Sequence, residues 1–172
     1  MSLNYRNMAL LKWWSKGTVL LQKAARLTWR QWLLLIEAGG AICIAWLRLK
    51  LLPFRRVAAT WGEPQRQAPP PSAAPLERRA EQVGWAVRAI NHCLPWQDTC
   101  LIQAMAARQM LRRRQIANVL YFGVRQNTTK PIDAHAWLSV GQHVLTGKRG
   151  HRQFSILSVF VDENMENSHE YI

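Results

Sequence analysis

The spacing of apolar residues changes its period once along the chain, and this change constrains the fold more than any other feature. Between residues 77 and 114 apolar side chains recur at three- and four-residue steps, which is typical of amphipathic helices. From residue 117 to 161 they alternate or run in short blocks, which is typical of strands. We therefore expect an α+β fold in which helices precede a small antiparallel sheet.

The predicted elements of this part of the chain have definite bounds. Gly141 and Gln142 separate the second and third strands by only two residues, which favours a tight antiparallel hairpin. Arg112–Arg114 end the second helix, where cations suit the helix dipole. We predict helices over 77–92 and 99–114 and strands over 117–125, 134–140, 143–146 and 154–161.

A basic and apolar region precedes this core. Residues 8–52 predict helix, with Thr28 as the N-cap of a second segment. The most apolar stretch, 32–54, is interrupted by Glu37 and Gly39–Gly40, which disfavours a membrane span. We expect it to be a buried helix or one lying on a membrane surface.

Composition divides the chain into parts. The stretch 62–75, "GEPQRQAPPPSAAP", is too rich in proline for a helix and predicts a linker. The division that follows is a helical N-terminal unit over 1–62, a linker over 63–75, a core over 76–162 and a polar tail over 163–172.

Charge and cysteine content limit the partners and the compartment. Residues 1–66 contribute +9 of the net charge of +13, which indicates an anionic partner such as a membrane surface or an acidic peptide. No nucleic-acid-binding motif is present, so nucleic acid is disfavoured. Three cysteines without a CxxC pair disfavour a disulfide framework and a structural zinc site, and no secretory signal is found. We expect a cytoplasmic protein without metal or cofactor.

Cys100 and His135 are the candidate catalytic residues. Cys100 falls in the first turn of the second predicted helix, where free backbone N–H groups and the helix dipole favour a thiolate. His135 lies in "AHAW" on an otherwise apolar strand and is the natural base for such a nucleophile. Most single cysteines and histidines are structural, but this order of elements matches papain-like and transglutaminase-like sites.

Several motifs around these residues resemble one family. The stretch 94–124, "LPWQDTCLIQAMAARQMLRRRQIANVLYFGV", followed by "AHAWLSV" at 134–140, resembles the lasso-peptide biosynthesis B proteins. These are leader peptidases with a transglutaminase-like core. The resemblance runs from about residue 77 to 161, and "LLPFRR" at 51–56 is also typical of the family.

The resemblance implies a cysteine protease that removes the leader from a ribosomally made precursor peptide. Cys100 would be the nucleophile and His135 the general base and later acid. A separate ATP-dependent cyclase would then close the macrolactam ring. Residues 1–60 look helical, unlike a winged-helix leader-recognition domain, so we expect the recognition protein to act in trans. The N-terminal unit would dock on the inner membrane face or on partner enzymes.

The chain departs from the family at the third catalytic position. Many members carry an Asp about a dozen residues after the His, where this chain has Gly147. No acid occurs between Asp133 and Asp162. The group that orients His135 is therefore Gln142, Asp133, Asp162 or a backbone carbonyl.

Two other functions fit the same residues. A transglutaminase-like Cys/His pair also supports acyl transfer to an amine. A basic, membrane-surface adaptor that lacks catalysis is the non-enzymatic alternative.

Overall fold

The computed structural model describes residues 27–65, 78–94, 100–126 and 132–162. The predictions for residues 1–26, 66–75 and 163–172 lie outside these ranges. Within them, helices come first and strands follow, which confirms the predicted α+β fold. The elements are α1 Trp29–Leu51, α2 Phe54–Ala59, α3 Arg78–His92, α4 Cys100–Arg112, β1 Val119–Arg125, β2 Asp133–Val140, β3 His143–Thr146, a short 3-10 turn His151–Gln153 and β4 Ser155–Val161.

The four strands form one antiparallel sheet in the order β3-β2-β1-β4. β2 and β1 are therefore central, and each pairs on both sides. Gly141 and Gln142 form the turn between β2 and β3, with Gly141 at φ 53°, a conformation that glycine adopts without strain. This confirms the predicted hairpin.

The sheet has two chemically different faces. Leu120 pairs with Leu138 and, on its other side, with Phe160, and all three join the core formed with the helices. The next residues along each strand face the other way, because side chains alternate across a strand. Tyr121 opposite Trp137 belongs to this second face.

Helix α4 is the element on which the helical layer depends. It packs on β2, β3 and α3. Three of its seven buried residues are alanines, Ala104, Ala106 and Ala107, and all three are fully enclosed. Small side chains allow a helix axis to approach its neighbours closely, so α4 can be covered on several sides.

Helix α1 begins where the sequence predicts. The backbone N–H of Gln31 contacts the hydroxyl of Thr28, and the Gln31 side chain accepts from the Thr28 N–H at 2.9 Å. This reciprocal arrangement is a capping box and confirms Thr28 as the N-cap. The helix continues through Gly39–Gly40 and ends at Leu51, two residues before Pro53.

The chain divides by its contacts after Leu33, and a second compact unit begins at Leu34. The sequence-based division separates residues 1–62 from the core over 76–162. Packing instead joins α1 from residue 34 onward, and α2, to the same unit as the sheet. The physical reason is burial, since these helices contribute Ala38, Ala41, Ile42, Ala45 and Val57 to the common core.

A charged pair fastens α1 to the end of α4. Arg114 donates two hydrogen bonds to the Glu37 carboxylate, at 2.9 and 2.6 Å, and a third to the Met110 carbonyl. Arg113 lies 3.7 Å from the same carboxylate. The hydrogen bond from Arg114 is the main cause that holds the pKa of Glu37 below its ordinary value of 4.5, although partial burial opposes it.

We expect Glu37→Gln to lower the free energy of unfolding near neutral pH by about 1–2 kcal/mol, because it removes a charge-assisted pair. A depressed pKa in the folded state contributes stability that is complete above the ordinary value of 4.5. This contribution disappears as the pH falls through the lower folded-state value. Urea unfolding of both proteins at a series of pH values measures the difference.

Glu63→Gln is the matched control, since Glu63 is exposed and its replacement leaves the α1–α4 pair intact. A Glu37→Gln effect that is the same at pH 3 and pH 7 would contradict this account.

Candidate active site

Cys100 is the first residue of α4, and its thiol is half-buried and free. The predicted N-caps, Asp98 and Thr99, lie outside the described residues. The other two cysteines, Cys43 and Cys93, are exposed. Cys100 therefore occupies the helix start at which the sequence analysis placed the nucleophile, and unpaired N–H groups of a first helical turn can stabilise negative charge there.

His135 is the third residue of β2 and lies on the face of the sheet that carries Trp137. Its ring stacks between Phe154, at 5.0 Å between centroids, and Trp137, at 6.0 Å. Gly123 is directly opposite on β1. A Cβ at residue 123 would come within 2.8 Å of both Phe154 and Trp137, so glycine provides the space for this aromatic cradle.

A backbone carbonyl holds the His135 ring. His135 Nε2 lies 2.7 Å from the carbonyl oxygen of Gly147. A carbonyl oxygen only accepts, so Nε2 carries the proton and donates it. The lone pair of the neutral ring is then on Nδ1, which makes Nδ1 the atom able to take a proton.

The backbone at Gly147 is pressed against β2. Gly147 has φ +70°, and a Cβ there would lie 2.4 Å from the Ala136 carbonyl oxygen and 2.8 Å from the Trp137 Cβ. No side chain fits in that space without movement of the backbone. At the position where the family pattern has an Asp, this chain therefore presents its main chain to the histidine.

The three side chains considered for this role have other neighbours. Asp133 pairs with Arg125 at 2.8 Å. Asp162 is buried and accepts from the Asn118 amide at 2.8 Å. Gln142 is exposed in the β2–β3 turn. Among the described residues none of the three is hydrogen-bonded to His135, and the geometry favours the carbonyl alternative.

Residues 45–159 match the sequence profile of the Transglutaminase-like superfamily. The chain belongs to this superfamily. No curated protein and no solved structure is significantly similar to it. The match begins inside α1 and ends inside β4, so the transglutaminase-like domain includes the end of α1, which agrees with the packing described above.

In this transglutaminase-like domain, the helix that begins at Cys100 packs on the strand that carries His135. Among the described residues, no hydrogen bond joins the two side chains. His135 lies on the sheet face that carries Tyr121 and Trp137, whereas the helices pack on the face of Leu120 and Leu138, so the structure does not bring the His135 ring and the Cys100 thiol together. The described residues also contain no group of three His, Cys, Asp or Glu side chains that could hold a metal ion.

A second layer of contacts supports the cradle, and the sequence analysis missed it. The Arg125 guanidinium lies 4.8 Å from the centre of the Phe154 ring, a cation–π contact. Asp133 binds Arg125 in turn, at 2.9 Å to Nε. Asp133 is thus linked to His135 by successive contacts through Arg125 and Phe154 and not by a direct hydrogen bond. In the sequence, the only sign of this arrangement is that Arg125 and Asp133, of opposite charge, lie at the adjoining ends of the first two predicted strands.

We expect Gly147→Ala to lower the free energy of unfolding by about 1–3 kcal/mol, because it combines a positive φ with a collision against β2. Gly150→Ala is the matched control. Gly150 has a similar φ, +77°, but a Cβ there would meet nothing closer than the Gln153 side chain at 4.0 Å. Thermal or urea unfolding compares the two, and equal destabilisation would show that close packing at residue 147 is unimportant.

Proposed function

We propose that this transglutaminase-like protein is a cysteine peptidase that removes the leader from a lasso-peptide precursor. The observation that carries the proposal is the hydrogen bond from His135 Nε2 to the Gly147 carbonyl. It leaves Nδ1 as a base on β2, and the helix beginning at Cys100 packs on the other face of the same strand. The order of the "PWQDTCL", "RRRQI", "FGV" and "AHAW" motifs supports the leader-peptidase specificity.

In the proposed reaction, Cys100 Sγ attacks the carbonyl carbon of the scissile peptide bond after its proton has passed to His135 Nδ1. Backbone N–H groups at the start of α4 stabilise the oxyanion. His135 returns the proton to the leaving nitrogen as the C–N bond breaks, which gives a thioester. Water then attacks the thioester, with His135 as the base, and Cys100 is regenerated.

The products define the partners in this proposal. Cleavage frees an α-amine at the new N-terminus of the core peptide, and an amine is what a separate ATP-dependent cyclase needs to form a macrolactam. The leader-recognition protein acts in trans. This pathway operates in the cytoplasm, in keeping with three free thiols.

We expect Cys100→Ala to abolish leader release when the precursor and the recognition protein are supplied, because the nucleophile is gone. Cys93→Ala is the matched control, since Cys93 is another free thiol but exposed at the end of α3. The readout is mass spectrometry of the precursor. Leader release by Cys100→Ala at the wild-type rate would overturn the assignment.

The same assay tests the base and the reaction type. His135→Ala should lose at least about 100-fold in rate, whereas His92→Ala, which changes an exposed histidine of α3, should retain activity. A released leader whose mass is that of the free carboxylic acid, the sum of its residues plus one water, indicates hydrolysis. A leader joined to an amine would instead establish acyl transfer.

We also propose that α1 attaches the enzyme peripherally to the inner membrane face. By length and composition, α1 is the one helix in the described residues that could cross a membrane, a property that core helices of soluble proteins share. Its buried residues and the Glu37–Arg114 pair tie it to the domain. Its other side exposes apolar side chains, among them Ile36, Leu47 and Leu51, close to the cations Arg48 and Lys50.

Leu47→Glu combined with Leu51→Glu should reduce co-sedimentation with vesicles of anionic phospholipid by about tenfold or more, because charged side chains resist insertion among the acyl chains. Leu157→Glu is the control, since Leu157 is an equally exposed leucine on β4. Equal loss in the control, or no loss in the double variant, would contradict attachment through α1.

A further inference from the structure

Two cavities with shared lining residues lie next to the aromatic side chains that contact His135. The first, about 350 Å³, is lined by Tyr121, Trp137, Phe154 and Ile156. The second, about 510 Å³, continues past the edge strand β3 to α3. The two share four lining residues, Gln142, Val144, His151 and Arg152. We call the whole the aromatic–basic cleft.

The end of the cleft nearest His135 is aromatic. The Tyr121 and Trp137 rings are parallel to within 2°, with centroids 5.3 Å apart. Trp137 and Phe154 also flank the His135 ring, so an occupant of this cavity lies one ring away from the proposed base. Ile156, 48% exposed, adds an apolar wall that has no cover within the described residues. Flat, partly uncovered apolar surfaces of this kind favour a bulky apolar side chain.

The far end of the cleft is basic. Arg88, Lys148 and Arg152 line it, and Glu81 is the only acid among its lining residues. Arg88 donates to the Leu145 carbonyl, which fixes its guanidinium at the cleft. Lys148 and Arg152 are exposed and take part in no ion pair among the described residues. His151 donates from Nδ1 to the Lys148 carbonyl at 2.7 Å, which orders the rim.

We propose that the aromatic–basic cleft binds the peptide substrate through a bulky apolar side chain near the scissile bond and through acidic residues farther along. The cations at the basic end would pair with carboxylates, and the aromatic end would bury the apolar side chain. This inference rests on the proposed peptidase function and adds the substrate class to it. A peptide is the proposed occupant because Trp137 and Phe154, which line the apolar end, also stack on the ring of the proposed base His135.

The test uses the full chain carrying Cys100→Ala, so that binding is measured without cleavage. The probes are two short fluorescein-labelled, capped peptides with one phenylalanine, one containing several glutamates and the other glutamines in their place. We expect the glutamate peptide to bind about tenfold more tightly by fluorescence anisotropy, with an affinity that falls as salt rises. Equal affinity for the two peptides would overturn the proposal.

Lys148→Glu combined with Arg152→Glu should weaken binding of the glutamate peptide by about tenfold and leave the glutamine peptide nearly unaffected. Arg149→Glu is the matched control, because Arg149 is an exposed neighbour that does not line the cleft. The single variant Arg152→Glu is measured beside Arg149→Glu. Equal loss of affinity for the glutamate peptide in these two variants would show that only net charge matters, and would overturn the proposed binding in the cleft. Ile156→Ser should weaken the binding of both peptides. Unchanged affinity would contradict the proposal that the aromatic end binds the apolar side chain.

Failure of the cleft and failure of the peptidase proposal are distinguishable. If the Lys148→Glu and Arg152→Glu enzyme releases the leader at the wild-type rate, the cleft is wrong and the peptidase assignment stands. If the glutamate peptide binds as expected but Cys100→Ala does not affect leader release, the cleft stands as a peptide site and the catalytic assignment fails.

Discussion

The rest of the structure depends on the close packing of α4 between the sheet and α3. Its alanine face lets neighbouring elements approach from several directions, and burial of apolar surface there stabilises the whole unit. The same packing fixes the position of the helix start, where Cys100 lies. The helix that carries the proposed nucleophile is therefore also the central helix of the fold.

Features that depend on neighbouring residues could be predicted from the sequence. The apolar period predicted α3, α4 and the four strands to within about two residues, as is usual for element ends, whereas the short helix α2 was not predicted. The Thr28 cap and the Gly141–Gln142 turn were predicted from local chemistry alone. Cys100 and His135 were chosen as candidates by residue type, position in an element and family motif, all of which are readable along the chain, and their catalytic roles stay predictions.

Features that depend on distant residues could not be predicted in this way. Glu37 was interpreted as a break in an apolar stretch, yet it is the partner of Arg114 and helps to join α1 to the core. Arg112–Arg114 were interpreted only as cations that suit the end of a helix dipole. Gly147 was interpreted as a missing Asp. In each case the deciding contact is between elements far apart in sequence, and periodicity carries no information about it.

The hydrogen bond between His135 and the Gly147 carbonyl has a consequence for how such a site is recognised. Every amino acid carries a main-chain carbonyl, so truncating side chains one at a time cannot delete this group. If Cys100 and His135 act as proposed, an alanine scan of polar residues would report these two and miss the Gly147 carbonyl. Only a change in the path of the backbone at residue 147 would move this carbonyl, and the close contact with β2 restricts such a change. The proposed orienting group is thus a main-chain carbonyl, and it can lie this close to β2 because residue 147 has no side chain.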